Sequence, residues 1–310
     1  MIKFRIVFMG TPEFAVSSLQ KLVESGCEVV AVVTAPDKPA GRGLQLTPSP
    51  VKQYAVSQGI PVLQPEKLKN PDFLAELRNY QADLQVVVAF RMLPEVVWNM
   101  PPKGTFNLHA SLLPQYRGAA PINWAIINGE TKTGATTFFL EHEIDTGKII
   151  FQEPEPIHYD DTVGTLYERL MHKGAELVVQ TVKAVEAGNY PQIPQPTAET
   201  LKAAPKIFKE TCEINWNQPS ETIRNFVRGL SPYPTAWTTL NGKICKIFKT
   251  SVVNEKKSTD SSATIQSDNK TYLHFKTADG WIAIEELQLE GKKRMGIEEF
   301  LRGTKLTLNP

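Results

Sequence analysis

Residues 105–111 read Thr-Phe-Asn-Leu-His-Ala-Ser, an alternation that puts Asn107 and His109 on one face of a strand and Phe106 and Leu108 on the other. An amide beside an imidazole suits a reaction in which an oxygen becomes negative. Asn107 can donate to that oxygen, and histidine can give or take a proton near neutral pH. Asp145, on a polar turn two residues before Gly147, adds a carboxylate that can orient the imidazole or accept a proton through water. Each residue also has a purely structural use. Asn107 can tie off the strand end, His109 can rest half-buried on a backbone partner, and Asp145 can close an Asx turn. Their grouping favours chemistry without naming a reaction. No serine stands in a nucleophile elbow, and Cys27, Cys212 and Cys245 lack a histidine close in sequence, so a covalent acyl-enzyme has little support. With neither CxxC nor a His/Cys cluster, no metal site and no disulfide framework are expected.

These residues need a scaffold. An apolar run over 5–9 followed by Thr11-Pro12-Glu13 predicts a strand, a loop and a helix over 14–22 with Thr11 as N-cap. Further apolar strands over 29–34 and 84–89, separated by loops and helices, predict a mostly parallel sheet covered on both faces. The fold class is α/β, and the first domain is Rossmann-like. Its first loop carries only Gly10, whereas a dinucleotide fingerprint needs several glycines, so an NAD site is disfavoured. Residues 34–50, rich in Pro and Gly and holding Lys38 and Arg42, read as a solvent-facing loop able to fold over a partner. After the 105–111 strand, Pro114 is a stop, Pro121 a helix start and Asn128-Gly129 a helix end. Strands over 135–140 and 148–152 flank the Asp145 turn, and helical spacing predicts a long helix from 162 to about 187.

Four prolines follow in a stretch with few large apolar residues, which reads as a linker. The division is therefore 1–189, a linker at 190–205, and a second domain at 206–310. That last third begins with Ile214 to Trp216, followed by a helix at 221–229 with Ser220 as candidate cap and short strands near 236–240, 244–248, 271–275 and 281–285. This pattern predicts a small β-barrel, and residues 251–270 a solvated insertion. The charge is split: 18 Lys and Arg against 21 Asp and Glu before Lys206, then 16 against 12 from Lys206 onward. A basic second domain permits contact with phosphates. The overall balance of 34 basic to 33 acidic residues excludes a bulk polycation. The amino terminus lacks the flanks of a signal peptide, and no window approaches the ~20 apolar residues a membrane span needs, so the expected compartment is the cytoplasm.

The run from Asn107 to Ile122, NLHASLLPQYRGAAPI, resembles the signature of the folate-dependent formyltransferases, and among them the methionyl-tRNA formyltransferases. The likeness extends over nearly the whole chain: Met9-Gly10-Thr11-Pro12, the PDKPAGRG loop, Thr136, Asp145-Thr146-Gly147, the stretch from Arg228 to Pro234, and the closing LQLEGKKRMGIEEFLRG. It implies a formyltransferase domain followed by an oligonucleotide-binding-like (OB-like) barrel. The implied donor is 10-formyltetrahydrofolate, with no metal, and the implied acceptor is the α-amine of initiator methionyl-tRNA.

By the same resemblance Asn107, His109 and Asp145 are the catalytic trio, and Ser111, Leu112, Leu113 and Pro114 contact folate. Phe90, Arg91, Met92, Leu93 and Pro94 wall the pterin pocket, although Phe90-Arg91 stands where many relatives carry Tyr-Gly. Arg42 matches a basic residue that probes the first acceptor-stem base pair. Lys206, Arg228, Lys243, Lys246, Lys249 and Lys292-Lys293-Arg294 are candidate phosphate contacts, which position RNA without reading its sequence. A monomer is implied. Formyl transfer to an amino-sugar nucleotide, hydrolysis of the donor, and a catalytically silent RNA-binding protein are the competing readings.

Overall fold

The computed structural model describes residues 3–40, 45–196, 200–253 and 264–306. They gather into two compact units: Met1–Gly118, Thr133–Glu155 and Tyr167–Lys202 in one, and Ala119–Lys132, Pro156–Leu166 and Ala203–Pro310 in the other. The helix Pro121–Ile127 thus groups with the later part of the chain.

Among the described residues the first unit is laid out on a seven-stranded sheet. Its strands are β1 (Arg5–Gly10), β2 (Glu28–Val33), β3 (Val62–Leu63), β4 (Leu84–Val88), β5 (Thr105–His109), β6 (Lys132–Phe139) and β7 (Ile149–Pro156). In space they run β7-β6-β5-β4-β1-β2-β3. Pairing is parallel from β3 through β2, β1 and β4 to β5, and β6 lies antiparallel to β5. The strand order reverses between β1 and β4, and ligands of open α/β sheets lie beyond the strands' carboxyl ends at such a point.

β1 and β4 are nearly unbroken apolar runs because both sheet faces are covered. On one face Val7, Met9, Val33 and Val87 pack with Phe73, Leu74 and Leu77 of the helix Pro71–Asn79. Each such side chain contributes roughly 1.5–3 kcal/mol by leaving water. The long helix Val163–Glu186 crosses β5 closely, since a Cβ added at Gly174 would stand 2.8 Å from Leu108 Cδ2. Pro12 occupies the N-cap position of the helix Glu13–Glu24, one residue beyond the predicted Thr11. Two further helices begin at Pro50 and Pro71, capped by the side chains of Ser49 and Asn70. Within 34–50, Lys38–Ala40 pairs antiparallel with Gln45–Thr47. Arg42 lies outside the described residues.

The second unit holds an antiparallel sheet of β8 (Ala236–Leu240), β9 (Lys243–Val252), β10 (Ile265–Ser267), β11 (Leu273–Lys276), β12 (Trp281–Leu289) and β13 (Met295–Gly296). The order is β8-β9-β12-β11-β10, with β13 beside β12. Register shifts at Ile247/Lys249 and Lys249/Thr250 bend β9 against β12. The sheet curls over a core of Ile223, Val227, Leu240, Ile247, Ile284 and Phe300. Among the described residues β8 does not pair with β10, so the sheet is an open, barrel-like half rather than a closed barrel.

Just before residues 214–216, Glu213 makes an isolated bridge to Trp237. The segment expected as a wholly solvated insertion contributes the end of β9 and all of β10, while 254–263 lie outside the described residues. Ser220 is the first residue of the helix Ser220–Leu230 rather than its cap. Its hydroxyl bonds Asp279 and Thr277 instead.

Candidate active site

β5 ends at His109, which pairs in register with Thr136 of β6. The imidazole is 6% exposed, and its Nε2 lies 2.8 Å from the Tyr116 carbonyl. A carbonyl only accepts, so Nε2 carries the proton there and the neutral ring presents Nδ1 as an acceptor. Nδ1 faces Asp145, with Oδ2 at 3.9 Å. That is ion-pair range for an imidazolium and too long for a direct hydrogen bond. Asn107 is half-buried between Val87 of β4 and Phe138 of β6. Its side-chain amide has no protein partner among the described residues. Alternation therefore does bring Asn107 and His109 to one face beside the Asp145 turn.

Asp145 sits at φ 56°, a left-handed conformation aspartate tolerates better than most residues. The Gly118 amide donates to its Oδ2 at 3.0 Å. Its main-chain carbonyl accepts from Gln195 Nε2 at 2.7 Å, and the Gly147 carbonyl accepts from the same nitrogen at 2.9 Å. Gln195 Oε1 accepts in turn from Arg117 Nε at 3.2 Å and a terminal guanidinium nitrogen at 2.5 Å. The sequence reading missed Arg117 and Gln195. Gln195 lies 50 residues beyond Asp145, in the proline-rich stretch, and carries no local signal.

The segment after β5 is held from β6 and β7. Thr136 Oγ1 donates to the Ser111 carbonyl at 2.6 Å and accepts from the Leu113 amide at 3.2 Å, while Gln152 Nε2 donates to the Leu113 carbonyl at 2.9 Å. Ser111 is buried, its hydroxyl donating to the Gln115 carbonyl at 2.7 Å. Leu112 packs so closely on Gly134 that a Cβ there would stand 2.6 Å from it. Leu113 is buried with Phe138 and Ile149, and Pro114 is half-buried.

Past β4, Phe90 is half-buried and Leu93 belongs to the core, while Met92 is 71% exposed. The exposed Arg91 donates to the main-chain carbonyls of Glu66 at 2.8 Å and of Pro65. It clamps a neighbouring loop.

The candidate phosphate contacts divide by what their cations already do. Lys206 and Lys246 are exposed without an acidic partner among the described residues, Lys206 lying over the Phe208 ring. Lys243 is likewise exposed. Lys249 pairs with Glu285, Lys293 with Glu299 and Arg294 with Glu286. Lys292 donates to Thr304 Oγ1 at 2.6 Å. Arg228 donates to Asn225 at 2.7 Å and to the carbonyls of Asp161 and His158 at 3.0 and 3.3 Å.

Burial raises the thiol pKa of Cys27 and Cys212 and pushes that of Cys245 up to about 12, which in each favours the thiol over the nucleophilic thiolate. Among the described residues no group of three His, Cys, Asp or Glu side chains could hold a metal ion. No described helix is long and apolar enough to cross a membrane.

Asn107, His109 and Asp145 thus lie at the carboxyl ends of the parallel strands, where open α/β sheets hold ligands, and comparison with known proteins gives the family. Residues 4–182 match the formyl transferase family model, and 206–305 the model of the formyl transferase C-terminal domain. The methionyl-tRNA formyltransferase of Parabacteroides distasonis is 59% identical, the match covering 97% of this chain and 96% of that protein. That of Bacteroides fragilis is 56% identical, with 98% and 96% covered. Among solved structures, the N-formyltransferase of Helicobacter canadensis, in complex with folinic acid and dTDP-3-aminofucose, shares the fold at TM-score 0.67 and 22% identity, with 92% of this chain and 99% of that one covered. The chain belongs to the methionyl-tRNA formyltransferase family.

Proposed function

We infer that the chain transfers the formyl group of 10-formyltetrahydrofolate to the α-amine of methionyl-tRNA. The observation that carries this reading is identity of 56–59% to methionyl-tRNA formyltransferases along nearly the full length. Sugar-acting relatives share the fold at only 21–22% identity. The acceptor is the initiator species, the enzyme works as a cytoplasmic monomer, and the open sheet of the second unit serves as an OB-like RNA-contacting surface.

In the reaction the amine nitrogen bonds to the formyl carbon while the bond from that carbon to folate N10 breaks; the amine loses one proton and N10 gains one. Asn107 lends its free amide donor to the formyl oxygen as negative charge collects there. His109, its Nε2 proton committed to Tyr116, acts through Nδ1: protonated, Nδ1 is a second donor, and Asp145 balances the imidazolium. Asp145 Oδ2 is engaged by Gly118, leaving Oδ1 to take the amine proton through water and pass it toward N10. The tied-down segment Ser111–Pro114 and the stretch from half-buried Phe90 to exposed Met92 flank the folate, with Leu93 supporting them from the core. Lys206, Lys246 and Lys243 are the cations free to meet phosphates, joined at the rim by Lys292 and Lys293. Arg42 meets the acceptor stem.

The test is formyl transfer from 10-formyltetrahydrofolate with four acceptor conditions: charged initiator methionyl-tRNA, uncharged tRNA, an amino-sugar nucleotide, and none. Formylmethionyl-tRNA formed only with the charged tRNA supports the reading. A formylated sugar nucleotide, or donor consumed with no acceptor, reassigns the acceptor. RNA binding without any turnover returns the silent module.

A further inference from the structure

The Asp145 turn depends on a residue far along the chain. Gln195 Nε2 bridges two main-chain carbonyls, those of Asp145 at 2.7 Å and Gly147 at 2.9 Å, while its Oε1 faces the Arg117 guanidinium. Guanidinium nitrogens only donate and carbonyls only accept, so the amide has a single satisfied orientation. Glutamine alone among side chains of this length offers an acceptor to one side and two donors to the other. Arg117 and Gly118 are neighbours, and Gly118 donates to the Asp145 carboxylate itself. Gln195 therefore holds the main chain of Asp145 while Gly118, the neighbour of Arg117, holds its carboxylate.

We propose that Gln195, oriented by Arg117, is a positioning residue that fixes the Asp145 carboxylate against His109. The proposal rests on the catalytic reading of Asp145 given above. Gln195 touches neither His109 nor the reacting atoms, so its effect reaches the chemistry through the turn.

The experiment compares Gln195→Ala, Gln195→Glu and Asp145→Asn with the parent enzyme, measuring kcat and KM for donor and methionyl-tRNA, the pH profile of kcat, and the thermal midpoint. Gln195→Glu still accepts from Arg117 but has no N–H for the two carbonyls, so it isolates the donor role. A displacement of about 1 Å at a reacting group costs on the order of 100-fold. Both Gln195 variants are expected to lose about 10- to 100-fold in kcat, with both KM values within about twofold, the pH profile displaced and the midpoint within a few degrees of the parent. The proposal is overturned if kcat stays within about twofold of the parent in both variants while Asp145→Asn is inactive. A kcat loss that leaves the parental pH profile unmoved also overturns it, giving Gln195 a structural role alone. Full activity in Asp145→Asn removes the catalytic reading itself, and this proposal with it.

Discussion

His109 and Asp145 meet at one nitrogen of the imidazole: Nδ1 stands 3.9 Å from the Asp145 carboxylate, while Nε2 is tied at 2.8 Å to the Tyr116 carbonyl. Nε2 is thus engaged, and Nδ1 is the ring nitrogen that faces the carboxylate. The two groups should behave as one unit. His109→Ala and Asp145→Asn are each expected to lower the single-turnover rate of formyl transfer by roughly 10²–10⁴, and the double variant to be no worse than the worse single one. Multiplying losses in that cycle would show that the residues act separately. Asn107→Ala, which removes a lone donor, should cost about 10²–10³.

Gly147 closes the Asp145 turn against β6 with no room for a side chain. A Cβ at this position would fall 1.7 Å from the Phe139 carbonyl oxygen. Gly147→Ala must push the turn off the strand and loosen the bond from Gln195 to the Gly147 carbonyl, so both thermal midpoint and kcat should fall. Gly188→Ala is the control. Gly188, at φ 67°, has open space around it, so the substitution should lower stability by only about 1–2 kcal/mol and leave kcat unchanged. Equal kcat losses in the two variants would separate the turn from catalysis.

How much of this was legible beforehand depended on the range of each interaction. Strand alternation places Asn107 and His109 on one face, and Asp145 is visible as a turn carboxylate, because those signals are local. Gln195 was not visible: its partners are 48 to 78 residues away, and the prolines around it read as a linker. Ile265–Ser267 and Met295–Gly296 are too short to show a period, and they exist because β11 and β12 offer them an edge. The same limit governs charge. A basic residue count cannot separate Lys246, open to solvent, from Arg228, whose donors are already engaged.

That difference predicts two kinds of defect. Lys206→Ala and Lys246→Ala should weaken methionyl-tRNA binding, each flattening the slope of log K against log salt by about 1, with the thermal midpoint unchanged. Arg228→Ala removes the donors that the Asp161 and His158 carbonyls and Asn225 Oδ1 accept from. It should therefore destabilise the fold by about 1–3 kcal/mol with the salt slope intact. Titrations across a salt series, paired with thermal melts, separate the two. A flattened slope in Arg228→Ala would return that residue to the RNA-contacting surface.

The second unit also carries a carboxylate with a readable pH dependence. The Ser220 amide and hydroxyl donate to Asp279 Oδ1 at 2.8 and 2.9 Å, and Thr277 Oγ1 at 3.1 Å, which together hold its pKa below the usual carboxylate value. A carboxyl group whose pKa is lower folded than unfolded binds more protons in the unfolded chain as the medium acidifies. Its stabilisation is thus complete above about pH 4, the unfolded value, and disappears as pH falls through the lower folded value. Asp279→Asn should melt a few degrees below the parent at pH 7, and the gap should close below about pH 4 as the parent's own carboxylate is protonated. Asp279 is exposed, so solvent screening limits the effect to about 1 kcal/mol. A gap that stays constant down to pH 3 would mean that the amide side chain's shape, and not the lost charge, sets the difference.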